Sequence, residues 1–262
     1  MVLQKIGIRL ESLGLPLRRG LSEARRMGAS GVQVDAVGDL APGTLSQTGR
    51  REFRNLLRTH NLELTALGCP LRRGLDVAEN QEARIDLVRK VMTLSFELGP
   101  RITIVEPGLV PEDPNDPAGS RMTEVLLALG QHGDRVGAVL ALETGPQSGE
   151  TLARYLATFD TGGLGVNLDP ANLLMNGFDP YENATALRGR VVHVHAKDAR
   201  VSGVNRVAKE VPLGHGDIDW LRFLGTLEEI DYHGWLTIER ESGDDRIRDV
   251  AEGVAFLKRF VH

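Results

Sequence analysis

A (β/α)8 TIM barrel folded as a single domain over residues 1–262 is the architecture the sequence predicts, on three observations. Eight short apolar or β-branched runs alternate with amphipathic stretches at helical spacing, a pattern that calls for a parallel sheet with crossover helices. The chain has 262 residues, the size of one such barrel. The first run passes into LESLGLPL, which lacks the glycine-rich phosphate loop that opens the competing doubly wound sheet.

Lys5–Leu10 (KIGIRL) is read as the first strand, and Leu17–Ala29 follows Pro16 as a helix. Gly31–Ala36 (GVQVDA) is the second strand; the helix Ser46–His60 opens on a cap-type serine and carries Phe53, Leu56 and Leu57 at helical spacing. Leu62–Gly68 precedes the helix Val77–Leu98, which repeats Ile85, Val88, Val91, Met92 and Phe96. Arg101–Gly108 (RITIVEPG) is the fourth strand, followed by the irregular stretch Pro107–Gly119 and the helix Arg121–Leu129. Ala138–Gly145 leads to the helix Ser148–Phe159, and Leu164–Pro170 to the short helix Tyr181–Leu187. Val191–Asp198 (VVHVHAKD) runs into a second irregular stretch, Ala199–Gly216, before the Asp-capped helix Asp219–Ile230. Trp235–Glu241 and the helix Asp244–Phe260 complete the eight units. Both irregular stretches lie on the C-terminal side of their strands, where barrels carry their active sites. Ala199–Gly216 is expected to be a loop that moves over bound substrate.

Composition narrows the function classes. No stretch approaches the roughly 20 apolar residues of a membrane span, and Lys5 and Arg9 interrupt any secretory leader. A single cysteine, Cys69, allows no intramolecular disulfide and points to a reducing, cytoplasmic setting. The 31 basic and 36 acidic residues are interspersed for a net charge of −5, which argues against a nucleic-acid partner.

The chemistry sits at the strand ends. Successive side chains of a strand point to opposite faces, so His193, His195 and Lys197 share one face of the seventh strand, and Val192, Val194 and Ala196 the other. Strands five to eight end in Glu143, Asp169, His195 and Glu239, each after an apolar run. Adjacent strands lie about 4.8 Å apart, so these four side chains can converge on one ion. Three carboxylates and one imidazole suit Mn²⁺ or Mg²⁺, with Co²⁺ and Zn²⁺ admissible. Glu143 and Glu239 stand three strands apart and flank whatever the ion holds. A divalent ion chelated by a carbonyl and the neighbouring hydroxyl of a sugar acidifies the intervening C–H. One carboxylate can then remove the proton while the other returns one.

In order and spacing, the strand-five glutamate with LDPAN, HVHAKD, GHGDIDW and LTIERE resembles the sugar phosphate isomerase/epimerase group of xylose-isomerase-like TIM barrels. The likeness covers essentially the whole chain. That group includes ketose 3-epimerases, hydroxypyruvate isomerase, inosose dehydratase and the endonuclease IV branch. The resemblance implies a metal held by Glu143, Asp169, His195 and Glu239, with the two glutamates as the acid–base pair. It implies an isomerase or epimerase of a ketose, sugar phosphate or hydroxy-ketone, with a lyase or dehydratase of a keto-sugar or inosose as the alternative. A small sugar is the expected partner; association into a homo-oligomer is left open. The chain departs from the group at Asn172, where a histidine that often touches substrate is common. It also lacks the Asp-x-His of the nuclease branch and offers Glu106 where that branch has a histidine, which disfavours a nuclease.

Further residues are candidates for substrate contact. Lys197 can bind a substrate oxygen or pair with an acid, and Glu106 and Arg9 end strands four and one. Asn172 belongs with them, and Gln33 and Asp35 are weaker members of the same set. His193, one layer deeper than His195, is either a satisfied interior histidine or a contact. His215, in GHGDIDW, is either part of a capped turn or of a ligand-closing loop. Glu241 shares parity with Glu239 and is placed in the loop beyond it.

Overall fold

The computed structural model describes residues 5–112, 119–203 and 207–260. Eight parallel strands form a closed barrel: β1 (Lys5–Arg9), β2 (Gly31–Asp35), β3 (Glu63–Gly68), β4 (Ile102–Val105), β5 (Val139–Glu143), β6 (Leu164–Leu168), β7 (Val191–Ala196) and β10 (Trp235–Ile238). Their order around the ring is β1-β10-β7-β6-β5-β4-β3-β2. The helices between them are α1 (Leu17–Met27), α2 (Gln47–Thr59), α3 (Gln81–Leu98), α4 (Ser120–Val136), α5 (Gly149–Leu156), α7 (Pro180–Ala186), α8 (Trp220–Glu229) and α9 (Arg246–Leu257). Several begin where the sequence places a cap. Ser46, Ser148, Asp219 and Asp245 each accept a backbone N–H three residues on, satisfying a donor that the first helical turn leaves open.

The main core lies between the strands and the helix layer and includes Ile8, Val34, Leu140, Leu168, Val194 and Ile238. Inside the barrel the packing is smaller, with Ala66, Ile104 and Ala141 in one cluster. Two register shifts modify the strict alternation. At Val166/Asn167 the pairing of β6 with β7 slips by one residue, and Val192 packs against the interior cluster rather than with Val194 on the outer face. At Val32/Gln33 the pairing of β2 with β3 slips likewise, which lets Thr65 reach across the interior to Thr237 and His193. Gly31 leaves room for that crossing; a Cβ there would lie 2.6 Å from both Thr65 and Trp235.

The structure corrects one of the two irregular stretches, while the described part of Pro107–Gly119 is irregular as expected. Asp198–Ser202 (β8) and Val207–Val211 (β9) form an antiparallel hairpin, not a loop; residues 204–206 of the expected moving segment, and 113–118 of Pro107–Gly119, lie outside the described residues. A short helix not expected from sequence, α6 (Pro170–Met175), starts directly at Asp169. Among the described residues, no helix is long and apolar enough to cross a membrane.

Candidate active site

The four strand-end residues meet. One donor atom from each of Glu143, Asp169, His195 and Glu239 lies within 4.8 Å of the others, and all four residues are buried. Nδ1 of His195 is 3.1 Å from Glu239, 3.6 Å from Glu143 and 4.0 Å from Asp169. Each side chain is aimed by its neighbours. Thr144 Oγ1 donates to the Asp169 carbonyl (3.1 Å) and accepts the Asp169 N–H (2.8 Å), tying the end of β5 to the end of β6. Asp169 Oδ1 caps α6 by accepting the Asn172 N–H at 2.8 Å. The Glu239 N–H donates to the Ala196 carbonyl, extending the β7–β10 pairing by one residue.

A metal ion fits this donor set on an observation independent of the residue types. Asp169 Oδ2 is buried and makes no hydrogen bond among the described residues, while Glu239 Oε2 faces His195 Nδ1 at 3.1 Å, and a buried carboxylate oxygen without a partner is costly. Lys197 Nζ lies 3.6 Å from the first and 3.3 Å from the second, as a nearby charge rather than a bonded donor. The imidazole is set for ligation as well. Its Nε2 donates to Gln33 Oε1 at 2.9 Å, so Nδ1, which faces Asn167 Nδ2 at 3.1 Å, is the nitrogen turned to the carboxylates.

Electrostatics tie the groups together. Burial works against charge on His195, but Glu239 and Glu143 outweigh it and push the imidazole up to about 10. Burial, with Glu239 and Glu143, pushes Asp169 up to about 7 against the pull of Lys197. Glu239 is also buried, yet His195, Lys197 and Arg9 hold it well below the usual carboxylate range. Lys197 is desolvated too, but Asp169, Glu239, Glu241 and Glu143 keep its ammonium above its ordinary value.

The remaining candidates divide by place. Asn172 joins the cluster: its Nδ2 donates to Glu143 (3.0 Å) and its Oδ1 accepts from Lys197 (3.3 Å). Lys197 also bonds Glu241, whose side chain is 52% exposed against 1% for Glu239. Arg9 bridges Glu239 and Asp35. Arg9, Gln33, Asp35 and Glu106 line one cleft with Glu143. His193 lies beneath this layer. Its Nδ1 bonds Asn167 (2.8 Å) and its Nε2 bonds Thr237 (2.9 Å), so it is a satisfied interior histidine and not a residue of the mouth. His215 sits on an exposed turn after β9 whose carbonyl accepts from Arg200; among the described contacts none brings its ring to the cluster. Asn167, which bonds both histidines, and Glu11, which accepts the Asp35 N–H, had no role assigned from sequence. The parity of Asn167 with Asp169 was the available signal for the first; nothing local marks the second.

Known proteins resemble this one along its length. A solved xylose isomerase domain protein from Planctomyces limnophilus superposes with a TM-score of 0.87 at 27% identity, over 98% of this chain and 97% of that one. A D-allulose 3-epimerase from Methylomonas sp., solved with D-allulose, shares the fold with a TM-score of 0.76 at 17% identity, over 100% and 98% of the two chains. An inosose dehydratase of Clostridium botulinum is 31% identical over 112 residues, a match that spans 37% of this chain and 37% of that protein. The model of the family described as xylose isomerase-like TIM barrel matches residues 21–260. With the closed eight-stranded barrel, that match settles the family: the chain belongs to the xylose isomerase-like TIM barrels.

Proposed function

We propose that the protein is a divalent-metal-dependent isomerase or epimerase of a ketose, free or phosphorylated, or a related hydroxy-ketone, acting through an enediolate. The observation that carries this reading is the buried four-donor cluster in which two glutamates come from strands three positions apart. The D-allulose bound to the Methylomonas epimerase of the same fold agrees with a sugar substrate.

Glu143, Asp169, His195 and Glu239 would hold the ion. When bound, Mn²⁺ or Mg²⁺ polarises the carbonyl and adjacent hydroxyl of a keto-sugar and stabilises the charge left when the C–H between them is lost. Glu239, kept ionised by His195, Lys197 and Arg9, is able to accept that proton. Glu143 stands on the other side and is oriented by the Asn172 amide to return one. Burial of both carboxylates keeps bulk water from intercepting the transfer.

A dehydratase is the second reading, favoured by the inosose dehydratase relative and by one further acid. Glu106 lines the same cleft, and burial with Glu143, Glu241 and Glu239 raises its carboxyl above the usual range, as protonation of a departing hydroxyl requires.

Solvent deuterium incorporation, followed by NMR with Mn²⁺ over a panel of ketoses and inososes, tests both. Label gained on an intact carbon skeleton identifies an isomerase or epimerase; a new unsaturated product identifies a dehydratase. Glu143→Gln and Glu239→Gln keep shape and should each lower turnover by about 10² or more, within the range typical of acid–base groups. Near-normal turnover of either variant would place the base elsewhere.

A further inference from the structure

We propose that the trough between α2 and α3 docks an acidic, extended segment of a partner protein, whose carboxylates at alternate positions meet a row of arginines on α2. Two clefts on the outer helix layer make up the trough and meet at Arg54, which lines both. The first, of about 270 Å³, sets Arg50, Arg51 and Arg54 beside Glu97. The second, of about 430 Å³, sets Arg54 and Arg58 over an apolar floor that includes Leu57, Leu98 and Pro100. The row is preset. Arg50 bonds the Glu97 carboxylate and Arg54 the Glu97 carbonyl (3.0 Å), while Arg51 and Arg58 bond Thr48 and Asn55 of their own helix. Guanidinium groups held in this way lose little freedom when they bind a carboxylate.

Charge and spacing both favour an acidic peptide. The chain as a whole carries a net charge of −5, yet the trough is cationic. Its two acids are already matched, Glu97 by Arg50 and Glu63 by Lys5. Arg51, Arg54 and Arg58 are exposed and have no carboxylate partner among the described residues. Arg50, Arg54 and Arg58 recur at every fourth residue of α2, a rise of about 6 Å per step. Alternate side chains of an extended segment share a face and repeat about every 6.6 Å, so three of its acids can meet these three arginines. Arg–carboxylate pairs are directional as well as charged, which rewards that match. No aromatic side chain lines either cleft among the described residues, so the bases of a single-stranded nucleic acid would find no stacking platform. An anionic bilayer would touch the rim of the trough but not its floor.

The test is fluorescence anisotropy of the full chain at low ionic strength with a labelled peptide of alternating Thr and Glu, set against a single-stranded oligonucleotide and phosphatidylserine vesicles. The wild type should bind the peptide more tightly than either of the other polyanions, and less tightly as salt is added. Arg54→Glu should weaken the peptide about tenfold or more. The double variant Arg51→Glu/Arg58→Glu should do the same, and it serves if Arg54→Glu does not fold, because both side chains bond only within α2. Arg25→Glu/Arg26→Glu on α1, outside both clefts, changes the net charge as much as that double variant and should leave peptide affinity within about twofold. No binding of the peptide, tighter binding of the oligonucleotide or the vesicles, or an equal loss from the α1 variant overturns the proposal. Self-association of the wild type that Arg54→Glu abolishes would make a second copy the occupant and overturn it as well.

Discussion

The proton on His195 is what a metal ion must displace. Glu239 and Glu143 push this imidazole up to about 10 against its burial, and burial with the same two acids pushes Asp169 up to about 7. Both residues ligate only when deprotonated. The sign follows: below pH 7 two protons compete with the ion, between 7 and 10 chiefly one, and above 10 neither. Mn²⁺ affinity should therefore rise with pH, about tenfold per unit between 8 and 9 and more steeply below 7. Calorimetry at pH 8 in buffers of different ionisation enthalpy should show release of about one proton per ion. Affinity independent of pH would mean that His195 is not a ligand. The convergence of the four proposed ligand residues was legible, because each polar side chain ends an apolar strand and the parity of the strand aims it inward. Gln33 was only weakly visible: its importance comes from Nε2 of His195, 162 residues away in sequence and brought near only by barrel closure. His193 had two readings from sequence, and the choice between them depended on Asn167 and Thr237, which its own strand does not contain.

At the scale of elements, the barrel strands were readable and the additions at its mouth were not. DARVS alternates polar and apolar residues as a hairpin strand does, but VAKEV does not, and each is only five residues long with charges inside it, so neither shows the apolar run that marks a buried strand. PANLLM was hidden because Asp-Pro also reads as a turn. Conversely α4 continues to Val136, past the expected end at Leu129, because Gly130 and Gly133 pack against Thr161 and Gly163 and turn weak helix formers into contact points. The hairpin is held at two places. Asp198 accepts from the N–H groups of Ala199, Gly214 and Gly216 and from Trp220 Nε1. Glu210, with its side chain 7% exposed, accepts from the N–H groups of Glu241 and Ser242, from Ser242 Oγ and from Arg240. We propose that the hairpin moves over bound sugar while these anchors hold its base. Replacing Glu210 by Ala removes charge-assisted bonds worth about 1.5–3 kcal/mol each in favourable cases, partly offset by water and by Asp249, which still binds Arg240. A loss of about 2 kcal/mol in urea unfolding is expected, with faster hydrogen exchange over Val207–Val211. Unchanged stability and exchange would show that the hairpin is held elsewhere.

Across the whole molecule, the fold separates stability from chemistry. Apolar side chains fill the shell between strands and helices, while the inward face becomes polar toward the strand ends: Ala141 then Glu143 on β5, Asn167 then Asp169 on β6 and beyond, Thr237 then Glu239 on β10. Asp35, Glu143, Asp169, Glu239 and Glu241 are thus concentrated at one end, with Arg9, Lys197 and His195 as the cations that directly pair with them. A divalent ion would relieve Asp169 Oδ2, a buried carboxylate oxygen in the cluster that makes no hydrogen bond among the described residues. The most direct test is calorimetric titration of Mn²⁺ into wild type and Asp169→Asn. This substitution retains an oxygen to cap α6 but removes the charge, so the fold should persist while the ligand is weakened. The wild type should take up one ion per chain, and Asp169→Asn should bind it about 100-fold or more weakly. Equal stoichiometry and equal affinity in the two proteins would contradict a metal centre at these four residues.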